Sequence, residues 1–241
     1  MPMTRRRLAG PRRMLVLPVV LAVVASLGLA AAPASAQTTP RAFDAVTTQW
    51  EGGRWKHLGI KNDRYVVFDD RRVYEEGLIR NKWPFLPTAF HTNLNAAAVI
   101  MDGSLWRYTF VKGNQIVEFN DNRIINQVLP PFGNVDAFTI YYAYSVPAYV
   151  ASVGSNLFSW DSASGVIRPS FQVPSFVPFD FRSNFDDISA EQEGDAFKVS
   201  LYKGYERLIY VDSVFGADYF VERVNVRNKW PHLNTFFNTT A

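Results

Sequence analysis

Two acidic doublets, Asp69-Asp70 and Asp186-Asp187, are the residues whose types and spacing most invite chemistry. A pair of carboxylates can act as acid and base in glycoside hydrolysis. Their simpler reading is turn chemistry, because aspartate readily caps a tight turn through its own backbone. Other catalytic signatures are missing: there is no His-Glu-x-x-His, no Gly-x-Ser-x-Gly and no glycine-rich phosphate loop. The absence of cysteine excludes thiol chemistry, a disulfide framework and a Cys-ligated zinc. Six tryptophans and a 15% aromatic share suit stacking on sugars or cations. Trp83, Trp106, Trp160 and Trp230 recur at positions that need bulk and read as core instead. Tyr141-Tyr142-Ala143-Tyr144 is the candidate recognition loop. The expectation is a binding protein and not an enzyme, with a secreted hydrolase as the catalytic alternative.

Residues 1–36 read as a signal peptide: arginines at 5, 6, 7, 12 and 13, an apolar run from Met14 to about Ala32, then Ala34-Ser35-Ala36 as a cleavage site. The expected product is secreted, with no stable membrane insertion after cleavage. That leader carries five of the 25 Lys and Arg and none of the 22 Asp and Glu, so residues 37–241 hold 20 against 22, a net of −2. A weakly acidic domain offers no electrostatic footprint for nucleic acid.

An internal repeat organises the remainder. Asn81-Lys82-Trp83-Pro84-Phe85-Leu86 returns as Asn228-Lys229-Trp230-Pro231-His232-Leu233, an offset of 147 residues, or three units of 49. Four apolar openings surround a small polar residue: Phe43-Asp44-Ala45-Val46, Leu94-Asn95-Ala96-Ala97, Val135-Asp136-Ala137-Phe138 and Phe185-Asp186-Asp187-Ile188. An alternating stretch follows each, then a Gly/Asn turn and an aromatic or β-branched strand. Units of this kind bury their apolar faces by radial packing, which gives an all-β, four-bladed β-propeller with blades at about 42–90, 91–133, 134–182 and 183–235. A β-sandwich would not explain the recurrent Asn-Lys-Trp-Pro ending.

These units resemble the hemopexin-like repeat: Phe43-Asp44-Ala45 with Trp83-Pro84-Phe85-Leu86-Pro87, Asn95-Ala96-Ala97 with Phe110-Val111-Lys112-Gly113, Val135-Asp136-Ala137-Phe138, and Tyr202-Lys203-Gly204 with Trp230-Pro231. The chain departs from the pattern in lacking cysteines to tie the last blade to the first, Lys-Gly in unit 3, and an aspartate at Asn95. The resemblance implies a central channel lined by backbone carbonyls of Asp44, Asn95, Asp136 and Asp186, with a second ring at Val46, Ala97, Phe138 and Ile188. Such an oxygen-only lining suits Ca²⁺ or Na⁺. The plainer alternative is that the polar residues cap strand ends. The resemblance also raises haem, for which His57, His91 and His232 are the available axial ligands. A single propeller with no second one to enclose the haem argues against it, and haem or metal sequestration stands as an alternative. The expected function is a secreted, non-enzymatic module that binds a protein, a glycan or a small ligand.

Overall fold

The computed structural model describes residues 40–102, 105–129, 133–143, 146–154, 156–161, 167–169, 173–193, 196–213 and 217–238. The proposed leader lies outside them. Residues 39–241 form one compact unit.

Four antiparallel sheets of four strands each run in sequence order. Blade 1 comprises β1 (Ala45–Glu51), β2 (Arg54–Lys61), β3 (Arg64–Phe68) and β4 (Val73–Leu78). Blade 2 comprises β5 (Ala96–Asp102), β6 (Leu105–Lys112), β7 (Gln115–Phe119) and β8 (Ile124–Val128). Blade 3 comprises β9 (Ala137–Ala143), β10 (Val146–Val153), β11 (Asn156–Asp161) and β12 (Ile167–Pro169). Blade 4 comprises β13 (Asp187–Glu193), β14 (Ala196–Lys203), β15 (Glu206–Ser213) and β16 (Tyr219–Asn225). The first strands touch in a closed cycle, β1 with β5, β5 with β9, β9 with β13 and β13 with β1. That cycle is the inner ring of the expected four-bladed propeller.

The repeat encodes a turn lock. The hairpin between the second and third strands has two turn residues, the first with positive φ: Asn62 (54°), Gly113 (57°), Gly154 (60°) and Gly204 (61°). Each of those amides donates to the small polar side chain 18 residues earlier, on Asp44 (2.5 Å), Asn95 (2.6 Å), Asp136 (2.7 Å) and Asp186 (2.6 Å). Only an acceptor oxygen is required, so Asn95 serves as well as an aspartate. Where lysine precedes the turn, its ammonium reaches 20 residues back to a main-chain carbonyl, Lys61 to Arg41, Lys112 to Thr92 and Lys203 to Ser183. Lysine and glycine are thus adjacent because one ties the hairpin to the incoming segment and the other shapes the turn.

Each junction between blades has its own apolar cluster. At the junction of blades 4 and 1, Phe43 sits among Tyr202, Trp230, Phe236 and Phe237 at ring separations of 5.3–6.4 Å. Its ring occupies the space beside Gly59, where an added Cβ would lie 2.4 Å from the ring. Ala42 N donates to the Gly204 carbonyl at 2.9 Å, and Lys61 Nζ to the Phe237 carbonyl at 2.9 Å. The first and last described segments therefore clasp the ring without a covalent tie. Trp83 and Trp230 are fully buried, as their recurrence demanded, while Trp106 is half-buried. The side chain of Trp160 lies outside the described residues.

Trp230→Ala should cost about 3–5 kcal/mol of stability, because it removes a fully buried indole from the clasp. Trp50→Ala, at a site 51% exposed, should change stability by less than about 1 kcal/mol. Urea unfolding of the two variants measures both, and equal losses would show that the clasp does not hold the ring.

Candidate functional site

Polar groups gather at several places among the described residues, and the axis and the junction of blades 4 and 1 bear most on function. The structure puts Asp44, Asn95, Asp136 and Asp186 at equivalent positions, each just before its inner strand, with their side chains spent on the turn locks. Their amides are spent as well, on Ile60, Val111, Ser152 and Tyr202 carbonyls. The capping these residues perform joins them to their own blade's hairpin, not to a neighbouring blade. Among the described residues no three His, Asp or Glu side chains group so as to hold a metal, so any channel cation would rest on carbonyl oxygens.

Between the two expected rings lies Asp187, the second member of the doublet expected to act as a carboxylate pair or in a turn. The position after the small polar residue is Ala45, Ala96 and Ala137 in blades 1–3, but Asp187 in blade 4. The Asp187 carboxylate is buried and accepts three main-chain amides: Val46 of blade 1 (2.5 Å), its own Ile188 (2.8 Å) and Phe138 of blade 3 (3.4 Å). Burial pushes its pKa well above the usual carboxylate value, against the pull of those amides. Three of the four residues of the second ring thus point their N–H groups at one side chain.

The second place is a cleft of about 390 Å³ between blades 4 and 1, lined by Arg54, Trp55, His57, Asp69, Asp70, Arg71, Glu191, Lys198, Arg207, Ile209, Glu222 and Lys229 among others. Strand alternation builds it. Ser189 and Glu191 leave one face of β13, while Ile188 leaves the other and packs on blade 3. Arg207 pairs across the hairpin with Tyr202; the same register holds Tyr65, Ile116 and Leu157 in blades 1–3. Tyr65 packs 5.4 Å from Trp83, and the Arg207 guanidinium sits 5.4 Å from the repeat-equivalent Trp230. A buried arginine has therefore replaced an apolar or aromatic side chain. It donates to Ser200 Oγ at 2.8 and 3.2 Å and lies 3.6 Å from Glu191.

His57 forms the opposite wall. It occupies the register held by Tyr108 and Tyr149 in blades 2 and 3 and packs on Trp230 (5.0 Å) and Phe68 (5.1 Å). Its Nδ1 is 3.1 Å from Thr48 Oγ1, which donates across the junction to Ser189 at 3.4 Å. Burial, with the fields of Arg207 and Lys198, holds its pKa well below the usual value, so the ring is neutral. His232 Nε2 is 3.1 Å from the Asp69 carbonyl, and His91 is half-buried beside the start of blade 2. Asp69 accepts from the Arg71 and Arg72 amides and from Tyr74, the turn chemistry expected of it. Although burial works the other way, those donors and Arg54 hold its carboxyl below the usual range. Asp70 accepts from Trp230 Nε1 at 2.9 Å. The doublet's carboxylates are thus committed to different partners. The side chains of Tyr141 and Tyr142, and all of Tyr144, lie outside the described residues.

Two consequences are measurable. A His57 pKa depressed in the folded state means that the unfolded chain takes up the proton first, so stability is lost as pH falls below about 6.5. His57→Phe should flatten the stability profile between pH 7 and pH 5 in chemical denaturation, and an unchanged slope would place the titrating group elsewhere. Asp187→Ala leaves three amides without their acceptor and should cost about 2–4 kcal/mol at neutral pH.

A scan against family models gives no match, and neither does a sequence search of curated proteins. Solved structures do match. A hemopexin fold protein, CP4, from cow pea superposes with a TM-score of 0.65 over 83% of this chain and 100% of that one, at 13% identity. A plant albumin from Cicer arietinum, described as showing hemagglutination, gives 0.66 over 82% and 99%, also at 13% identity. Together with the closed cycle of four sheets and the repeated turn lock, these matches show that the chain has the hemopexin fold, a single four-bladed propeller.

Proposed function

We propose that this protein is a secreted, non-enzymatic binding module whose ligand site is the polar cleft between blades 4 and 1. One observation carries the reading: Arg207 stands buried where the other three blades have Tyr65, Ile116 and Leu157. A guanidinium buried 3.6 Å from a carboxylate returns little stability beyond what an apolar side chain of similar size gives, so stability does not account for it. A ligand that completes the hydrogen bonding of that face gives the arginine a purpose.

The alternatives fit less well. Sequestration of haem needs an exposed imidazole, whereas His57 is enclosed by Phe68, Trp230 and Thr48. A hydrolase needs carboxylates free to move protons, whereas Asp69 is held by several donors and Asp70 by Trp230. Export follows from the leader at residues 1–36, and the albumin described as showing hemagglutination lends support to binding on this fold. A hard cation such as Ca²⁺ or Na⁺ at the carbonyls of Asp44, Asn95, Asp136 and Asp186 is the structural part of the proposal. The oxygen-only donor set suits it.

The test is a thermal-shift screen of the purified protein against neutral and acidic monosaccharides, small organic acids, short peptides and haemin. A ligand at 100 times its Kd should add about 2.7 kcal/mol of stability. Its NMR shift changes should centre on the Trp55 indole and the His57 ring. Hits that map to another junction, or none at all, would remove the cleft as the ligand site.

A further inference from the structure

We infer that the cleft between blades 4 and 1 binds a compact oxyanion, with the Arg207 guanidinium at its floor, Lys198 on its wall and Trp55 as a platform for the group that carries the anion. The inference rests on the cleft being the ligand site and adds the chemistry of the occupant.

Charges that already have close partners are not free to hold a ligand. A comparable groove of about 450 Å³ lies on the other side of blade 1, against blade 2, and it also holds lysines. There each ammonium has a close carboxylate, Lys56 with Glu51 at 3.0 Å and Lys82 with Glu75 at 2.6 Å. In the cleft between blades 4 and 1 the acids are the satisfied partners: Asp69 and Asp70 accept the donors described above, and Glu222 lies 3.8 Å from Lys229. Lys198 has no ion pair or hydrogen bond among the described residues, although it lies directly across β14 and β13 from Glu191. Arg207 has its neutral contact to Ser200 and the 3.6 Å approach to Glu191. Glu191 is the one acid set against these two cations, so Lys198 is left without a close carboxylate of its own.

Local geometry suits an oxyanion. Fully buried Ser200 accepts from Arg207 through Oγ and helps hold the guanidinium at the floor of the cleft. The guanidinium is backed by the rings of Trp230 (5.4 Å) and Tyr202 (5.8 Å), an arrangement that fixes its plane for bidentate binding. Trp55 and His57 leave the same face of β2, and Trp50 braces Trp55 at a centroid distance of 5.2 Å. A cavity of about 390 Å³ is at the small end for ligand sites and holds one sugar ring or one phosphate with water, not an extended chain. Burial first, and then the fields of Arg207 and Lys198, lower the His57 pKa, so both cations act on the same space.

The same chemistry can come from the carboxylate of an acidic sugar or from free phosphate. Calorimetric titration with D-glucuronate, D-glucose and inorganic phosphate separates these sources. Saturable binding of glucuronate but not glucose identifies the acidic sugar, and binding of phosphate alone identifies the free anion; either supports an oxyanion site. Lys198→Glu, at a partly exposed position, should weaken the binding by at least about tenfold. Bound anion should also move the His57 titration seen by NMR to higher pH, a readout independent of affinity. Neither anion binding at about 10 mM, or full affinity in Lys198→Glu, overturns the inference. Glucose binding that perturbs Trp55 would overturn it while leaving the cleft as the ligand site.

Discussion

A propeller must join its last blade to its first, and here that junction is closed by packing and hydrogen bonds with no covalent bond. With no cysteine in the chain, the ring depends on Phe43 wedged among Tyr202, Trp230, Phe236 and Phe237, and on the Ala42 amide bonded to the Gly204 carbonyl. The aromatic rings approach edge to face in three of those four contacts, a geometry that adds modestly to area burial. Blades 1–3 reach their next neighbour through continuous chain, whereas blade 4 meets blade 1 only through such contacts. The segments at Phe43 and Phe237 are the structural equivalent of a tie.

Closure by aromatic residues near one end of the junction frees the rest of it. At the junction of blades 1 and 2, Tyr65, Trp83, Tyr108, Phe110 and Phe119 form continuous apolar packing. At the junction of blades 4 and 1 the same register carries Arg207 and His57, and a hydrogen-bonded run from Ser189 through Thr48 to His57 crosses it. Such groups return little stability when buried. They are sustained because Phe43, Trp230 and Phe237 hold the two blades independently of them. Asp187 adds a polar tie at the axis, where one carboxylate gathers amides from blades 1 and 3 as well as its own.

Legibility in the sequence followed the repeat. The openings, the Gly or Asn turns and the Trp-Pro endings recur because each blade needs the same lock and the same bulk, so their periodicity gave the architecture. The exceptions to the repeat were harder to read. Asp187, Ser189 and Glu191 alternate with Ile188 and Ala190 along β13, a pattern that in an isolated strand means one solvent-facing side. In a propeller both sides of an inner strand face neighbouring blades, so those polar residues are buried. The signal that could have found them was comparison between units: three alanines against Asp187, and Tyr65, Ile116 and Leu157 against Arg207. Pairing these positions requires strand register, which the varying unit lengths obscure.

The two departures also differ in what they demand of the surroundings. Asp187 meets main-chain amides, and amides on the inner ring are fixed by the strands whatever the side chains are, so one substitution from alanine suffices to create that contact. Arg207 meets side chains, and it is accommodated only because Ser200 accepts from it, Glu191 lies nearby and His57 stays neutral beside it. A protonated imidazole there would add a second buried cation next to the guanidinium and to Lys198. Neutral His57 is thus a condition of the cleft as well as a wall of it: burial depresses its pKa first, and the fields of Arg207 and Lys198 act in the same direction.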